Sequence, residues 1–520
     1  MAFGSPTRRN LIKGAGTAGL GAFATAKLGL PLIGSARASE NVLRASIIGN
    51  MPHLNPYMMI NHDLAAIKMM LYNNLIYTAP DGSLHPEVAR EMPEVSEDGL
   101  SYRFHLRDDV RFHNGKLLTA DDVIYSWGLN LEKSWRVGDF QGFLSLNNIH
   151  KEDDHTVRFD LSQPWSGWLM YMTKYTALVP DGADFENLRD GPGNNASGAY
   201  FLEHFDPDVN AIFVANPDYF EGERRQKMIE IRRIADASTQ LSNLLGGDID
   251  IISSCPPADF HPTMERDGFT GGMRPSAGIF YGPLNRTKPP FDNVHLRRAF
   301  ALAVDRDYIA NVIYYGLLTP SSIPAAPDEY WYDEGLAAQL DYNPERAREE
   351  LALGGHPNGF EFEAIIPVPS AYVEAMDAAI IIQANLADIG VQMNIRQMDF
   401  STMYDTAATG DYIAFPSPSM QPSIEDYLLA QSYRCDAGKQ YISQPCNPEY
   451  DQALDAAYAI SPNDHEARRP HLIEATRHLV EDATSLWLGR MNTYHLWRDS
   501  VHEFEPSYMY SMDFRTAYKS

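Results

Sequence analysis

Two pairs of carboxylates are the first residues that could do chemistry. Asp121 and Asp122 stand side by side, as an acid and base pair might, and Asp248 and Asp250 sit two positions apart. The first pair follows Thr119 at the head of an apolar-periodic run, where capping and the helix dipole favour acids without any catalysis. The second alternates with Ile249 and Ile251, which reads as a strand with a solvated acidic edge. Sixteen histidines are scattered along the chain. His471 and His478 share a helix face but lie two turns apart, too far to hold one metal. The three cysteines, Cys255, Cys435 and Cys446, form no CxxC, so neither a redox motif nor a zinc knuckle is supported. The chain has no GxSxG, no HExxH and no phosphate-binding Walker loop. Its single GxGxxG, from Gly14 to Gly19, has no strand before it and falls in a leader-like segment. No catalytic residue, metal site or cofactor is therefore expected.

The elements that must position whatever remains are legible from period and punctuation. Ser101 to Leu106 alternates faces, with Tyr102, Phe104 and Leu106 on one side. Asn114-Gly115 turns the chain, and Thr119 opens a helix through Val123 and Trp127. Val42 to Ile48 reads as a first strand ending at Gly49, followed by an apolar helix near Asp63–Leu75. A strand at Thr156–Leu161 precedes aromatic-rich turns holding Trp165, Trp168 and Tyr171. Met228 to Ile252 spells a β-α-β unit: a strand through Ile229 and Ile231, Asp236 as cap, a helix ending at Gly246-Gly247, and a strand at Ile249–Ile252. The same grammar returns at Phe360–Ile366, Tyr372–Ile389 and Val391–Ile395, with Gly390 as the stop. Between the two units, Leu296, Ala299, Phe300, Ala303 and Val304 keep a helical period behind Asp292 as cap. Two α/β lobes follow from the pattern.

Length and composition agree. At 520 residues, 44% hydrophobic and 21% charged, the chain can bury several domain-sized cores. A formal charge of −27 argues against nucleic acid or an anionic membrane as partner. The amino terminus reads as an export address. Thr7-Arg8-Arg9-Asn10-Leu11-Ile12-Lys13 precedes a Gly/Ala-rich run, and Ala36-Arg37-Ala38 offers small residues for cleavage after Ala38. Arg8 and Arg9 resemble the twin-arginine export motif. Cys435 and Cys446 can close a short loop in an oxidising compartment, while Cys255 reads as a buried free thiol.

Five passages, in order, carry a family resemblance. They are the stretch Val88–Trp127 already described, Gly198-Ala199-Tyr200 with Asn216-Pro217-Asp218-Tyr219, Gly247-Asp248-Ile249-Asp250, Tyr281 to Ile309, and Cys446-Asn447-Pro448-Glu449-Tyr450-Asp451. Together they resemble the family 5 solute-binding proteins, the peptide/nickel-type receptors of ABC importers. The resemblance implies an α/β, two-lobed periplasmic-binding-protein fold of type II, peptide-receptor class, with an additional third domain. It implies a discontinuous first lobe of residues 39–75, 199–285 and 492–520, an inserted domain of 76–198, and a second lobe of 286–491, all after a leader of 1–38.

It also implies where a ligand would lie. The loop after the first strand (Met51, His53, Asn55), the crossing at Tyr281, the neighbourhood of Tyr372, and the segment holding Phe415, Ser417 and Ser419 should line the cleft. In peptide-binding relatives that last segment carries an Asp for the ligand's α-amine. Here Phe415-Pro416-Ser417-Pro418-Ser419-Met420 has no acid until Glu425, and the position of the carboxylate-binding Arg of dipeptide receptors falls near the uncharged Ser370-Ala371-Tyr372. A buried charged terminus without a counter-ion is costly. The expectation is a monomeric periplasmic receptor, not an enzyme and not membrane-inserted. It would hold a peptide or peptide-like solute and deliver it to an inner-membrane ABC permease. An opine, an oligosaccharide or a metal chelate is the alternative ligand; an exported hydrolase or a chaperone-like or sensory partner is the rival role.

Overall fold

The first strand forms over Val42–Ile47, and both of its neighbours run parallel to it: Met228–Arg233 on one side and Ile251–Ile252 on the other. These neighbours are the two strands of the expected β-α-β unit. Its helix, Ala237–Gly246, is capped by Asp236, whose carboxylate accepts from the Thr239 N–H, and it closes on Gly247 in the left-handed region at φ 88°. The first strand of the chain thus slots between the two strands of a later unit, which local pattern could not reveal. The computed structural model describes residues 41–58, 62–133, 144–165, 167–368, 373–414, 416–420, 423–435, 445–461, 464–509 and 512–520.

Around this trio a nine-stranded sheet is assembled. Its order is Ser417–Met420, Phe269–Pro283, Ser485–Arg498, Ile251–Ile252, Val42–Ile47, Met228–Arg233, Asn210–Ala215 and Tyr200–Asp206, with Leu318–Pro320 pairing off Ser485–Arg498. The two longest strands, Phe269–Pro283 and Ser485–Arg498, run antiparallel along each other from Phe269↔Arg498 to Pro283↔Ser485. One end of this ribbon supplies Trp497 to a core with Leu43, Ala45 and Phe213. The other end supplies Phe280, Leu486 and Leu488 to a core with Phe300, Ile366 and Ile382. One strand pair therefore belongs to both lobes, and its register slips between Pro275 and Gly278.

The second lobe repeats the β-α-β grammar. Glu361–Pro367 and Gln392–Met398 pair parallel around the helix Val373–Ala387, and Gly390 (φ 85°) stops the chain as expected. The preceding helix spans Val294–Ala303, but its cap is Asn293, whose side chain accepts from the His295 N–H, and not Asp292. A separate four-stranded sheet forms from Glu94–Val95, Ser101–His105, Thr156–Asp160 and Ile149–Asp153, and in it Ser101–His105 buries Tyr102 and Phe104. The helix Ala120–Lys133 begins where Thr119 predicts. Asp122 reaches back to the Thr119 N–H at 2.9 Å, and Lys116 and the Asp181 N–H also bind that carboxylate. Asp121 pairs with Lys151, so neither acid is poised for catalysis.

Three further expectations need correction. The apolar helix spans His62–Leu71 and stops short of Leu75, because Asn73 and Asn74 turn their carboxamides to Glu87, Tyr219 and the Thr173 carbonyl. Trp168 and Tyr171 lie on a helix, Trp168–Tyr175, and not in a turn; with Trp165 they fill a core that also holds Trp331, Leu454, Leu472 and Trp487. Asp250 is not a solvated edge. It is 1% exposed, accepts from the Arg44 N–H at 2.9 Å and holds Lys519 Nζ at 2.7 Å, tying the C-terminal tail to the first strand.

Candidate functional site

Where the long ribbon enters the second lobe, three aromatic or hydroxyl side chains are brought together by strand register. Tyr281 stands opposite Trp487 on one side and Ser417 on the other. Its ring lies on the Trp487 indole, with centroids 5.4 Å apart and planes 14° from parallel. Tyr433 also packs against the same indole, at 5.8 Å and tilted by 44°, and shares a 2.7 Å hydrogen bond with Ser485 Oγ. The Trp487 N–H is buried and has no hydrogen-bond partner among the described residues. Ser417 is buried, and Ser419 faces Ile279 in the register.

The strand fits only because of Gly489. Its φ is 144°, and a Cβ there would stand 2.2 Å from the Thr319 carbonyl oxygen of the neighbouring strand. The next residue, Arg490, is buried and forks onto Asp328 at 2.7 and 2.9 Å, which holds the Asp328 carboxyl below the usual range. Beside this pair burial pushes the half-buried Glu329 carboxyl up to about 8, with the charge of Glu425 adding to the shift. Glu425 is the first acid after the Phe415–Met420 segment, and Ser423 Oγ donates to it at 3.1 Å.

The loop after the first strand is placed differently from the ribbon residues. Met51 is fully buried in the first-lobe core. Asn55 spends its carboxamide inside the lobe, donating to the Phe185 carbonyl at 2.8 Å and accepting from the Tyr57 N–H at 3.0 Å. His53 is half-buried with an unpartnered Nδ1, and burial, followed by the Arg189 charge, holds its imidazole below the ordinary value. Of the expected contact residues, Tyr281 and Ser417 are brought together, and Ser419 pairs with Ile279 further along the same two strands; Met51 and Asn55 are committed to packing. Tyr372, Phe415, Arg8, Arg9 and Ala38 lie outside the described residues.

Sequence reasoning missed a second approach between lobes. Cys255, a buried free thiol next to the short strand Ile251–Ile252, is pushed up by burial and by the charges of Asp259 and Glu374. Glu374 sits at the start of the second-lobe helix Val373–Ala387, and burial raises its own carboxyl. The Cys435–Cys446 disulfide is formed. A cavity of about 650 Å³ lies against it, between Arg286, Arg298, Asn447, His478 and Asp482, and includes none of the expected contact residues. A smaller one, about 200 Å³, sits where Gln163 and Pro164 meet Arg434, Asp455 and Tyr458. Among the described residues no three His, Cys, Asp or Glu side chains group to hold a metal ion, and no helix is long and apolar enough to cross a membrane.

The profile of the bacterial extracellular solute-binding proteins, family 5, matches residues 83–439, more than half of the chain. The chain belongs to this family. It is 26% identical over 434 residues to heme-binding protein A of Haemophilus influenzae, covering 78% of this chain and 79% of that protein. It is 25% identical over 482 residues to di/tripeptide-binding protein 3 of Pseudomonas aeruginosa, covering 86% and 88%. The crystal structure of a dipeptide-binding protein from Pseudoalteromonas sp. SM9913 in complex with Met-Leu superposes with a TM-score of 0.80 at 21% identity, over 92% of this chain and 100% of that one. The two cores joined by a shared ribbon are thus the two lobes of a type II binding-protein fold, and this family 5 protein is a solute-binding component of an ABC-type importer.

Proposed function

We propose that this family 5 protein is a periplasmic receptor that takes a peptide or peptide-like solute between its lobes, shuts over it and hands it unaltered to an inner-membrane ABC permease. The observation that carries this reading is the paired ribbon Phe269–Pro283 and Ser485–Arg498, anchored in both cores and lined at its crossing by Tyr281, Trp487 and Ser417. Two strands joining two lobes allow rotation about their middle, where the register slips at Pro275–Gly278, while each lobe stays packed. Closure needs a ligand that binds the shut form better than the open one. On this reading the first lobe comprises residues 39–75, 199–285 and 492–520, the insert 76–198 and the second lobe 286–491. Residues 1–38 form a twin-arginine leader removed after Ala38, and the mature protein works as a soluble monomer without catalysis.

The contact set comprises Tyr281, Ser417 and Ser419, joined by Phe415, Tyr372 and the half-buried His53. Sequence around Ser417 offers hydroxyls and no acid, which favours a ligand without a buried α-amine at that point. An opine or an oligosaccharide meets this requirement as well as a blocked or longer peptide does. Denaturing freshly purified protein and identifying the released small molecule by mass spectrometry tests the reading. An intact solute whose re-addition shrinks the radius of gyration is the expected result; turnover of added peptides or glycosides would replace the receptor with a hydrolase.

A further inference from the structure

Just beyond the helix Val294–Ala303 the second lobe leaves apolar surface uncovered. Tyr308, Val312 and Tyr315 follow one another at spacings of four and three and are 48%, 43% and 49% exposed, and Tyr342 nearby is 45% exposed. The spacing puts Tyr308, Val312 and Tyr315 on one side of the segment, and Tyr342 shares the neighbour Asp305 with Tyr308, so four of the eleven large apolar side chains exposed among the described residues gather in one place. Ile309, Ala310 and Tyr314 of the same segment are buried, which means its core-facing side is already filled.

The backbone here is held away from its easiest form. Ile309–Ile313 is a π-helical turn, and Tyr315 is left-handed at φ 50° ahead of Gly316 at φ 81°. The turn ends with the Gly316 N–H on the Ala310 carbonyl at 2.9 Å, which makes Tyr315 the left-handed residue where glycine or asparagine avoids the Cβ clash. Folding alone would favour glycine, and a ring half in solvent returns little to the folded state. Strain of this kind collects at sites that serve another purpose.

Carboxylates rim the patch. Asp305 caps the Tyr308 N–H at 2.9 Å, Asp307 and Asp341 are exposed beside it, and burial together with Asp305, Asp388 and Glu345 pushes the Tyr342 phenol up. Of the arginines nearby, Arg348 is engaged by the Asp388 carbonyl and Glu345, and Arg306 points inward. An acidic rim repels anionic lipid headgroups and complements a basic-rimmed protein surface. Arg306 also links the patch to the crossing: its guanidinium donates to the Trp487 carbonyl at 2.6 Å and to the Val304 and Leu340 carbonyls.

We propose that the Tyr308–Val312–Tyr315–Tyr342 face docks the membrane-spanning permease subunit of the importer, through a basic-rimmed apolar surface on that subunit. The proposal rests on the receptor reading above. Its position one arginine away from Trp487 places the docked partner where a shift of the solute-binding ribbon is felt.

The test uses full-length protein exported from its own bacterium with Tyr308→p-benzoylphenylalanine, and separately Met273→p-benzoylphenylalanine as an exposed position on the long ribbon. After irradiation, adducts are identified by mass spectrometry. An adduct to the membrane-spanning permease subunit from position 308 and none from 273 is expected. Adducts only to a second copy of this chain, to any other protein, or none at all would overturn the proposal. In proteoliposomes, Tyr308→Ser with Tyr315→Gly should lower receptor-stimulated ATP hydrolysis at least tenfold while the solute released on denaturation is unchanged; undiminished stimulation would also overturn it. A wild-type protein that releases no solute speaks against the receptor reading itself, and the adduct result is read separately.

Discussion

The ring of Tyr281 lies flat on the indole of Trp487, 5.4 Å between centroids, at the point where the shared ribbon enters the second lobe. Trp487 is also fully buried and in ring contact with both Tyr281 and Tyr433, so it is both floor and support. Replacing it should therefore cost stability before affinity can be read: Trp487→Ala is expected to lose about 3–5 kcal/mol in urea unfolding. Tyr281→Phe keeps the stack and should cost far less stability than Trp487→Ala. A weaker hold on the co-purified solute in Tyr281→Phe, measured by the amount released on denaturation, would place its hydroxyl at the ligand.

Glu329 carries a pH dependence whose sign can be worked out. Burial, with Glu425 nearby, lifts its carboxyl from an ordinary 4.5 to about 8. A carboxyl that holds its proton more tightly when folded gives its full contribution below the ordinary value, and that contribution is lost as pH rises toward the folded value. Glu329→Gln should accordingly flatten the decline of stability between about pH 5 and pH 8, by at most about 1.4 kcal/mol per pH unit. Urea midpoints at three pH values in that window check this. An unchanged slope would mean that the carboxyl is not proton-bound in the folded protein.

Asp250 joins two ends of the chain. It accepts from the Arg44 N–H at 2.9 Å and from Lys519 Nζ at 2.7 Å, 269 residues away in sequence. Asp250→Ala leaves both donors without their acceptor and should cost about 2–4 kcal/mol. Lys519→Met should cost less, since its side chain is 19% exposed and the Arg44 N–H keeps its acceptor. A double-mutant cycle measures the coupling, and additivity of the two losses would show that the ion pair contributes nothing to stability.

That pair also explains what can and cannot be read from sequence. Strand alternation at Ser101–His105, the Asp236 cap and the Gly390 stop are local and therefore legible. Asp250 is misread as a solvated acid because its partner comes from the far end of the chain. The Asn293 cap hinges on which of two neighbouring polar side chains meets the His295 N–H, and the early end of the helix at Leu71 on acceptors for Asn73 and Asn74 that come from distant residues; packing makes both choices. Tyr281 and Ser417 are reached through family resemblance, and the register that sets them side by side comes only from the sheet. Arg490–Asp328 and Cys255 near Glu374 pair residues more than a hundred positions apart, beyond any periodic signal.

Reducing the Cys435–Cys446 bridge offers a separable test of the second lobe. The bridge spans a sequence separation of 11, so the loop-entropy account predicts a loss of about 3 kcal/mol for Cys435→Ser with Cys446→Ser. Its surroundings are tied independently: Arg434 pairs with Asp455, and the Cys435 N–H donates to Asp451. The variant should therefore still fold, with a lower melting temperature and unchanged solute content.

Gly489 makes the most local demand. With φ at 144° and the Cβ of any replacement only 2.2 Å from the Thr319 oxygen, no L side chain fits without parting the strand Leu318–Pro320 from Ser485–Arg498. Gly489→Ala should cost more than the roughly 1 kcal/mol of an ordinary glycine replacement, because backbone and not a flexible side chain stands in the way. Gly489 pairs with Phe280 and Trp487 with Tyr281 in the same register, so the same substitution should also disturb the Tyr281 stack. Tryptophan fluorescence and urea unfolding of Gly489→Ala read both effects; a variant as stable as wild type with an unshifted emission would show that the two strands are free to separate at this point.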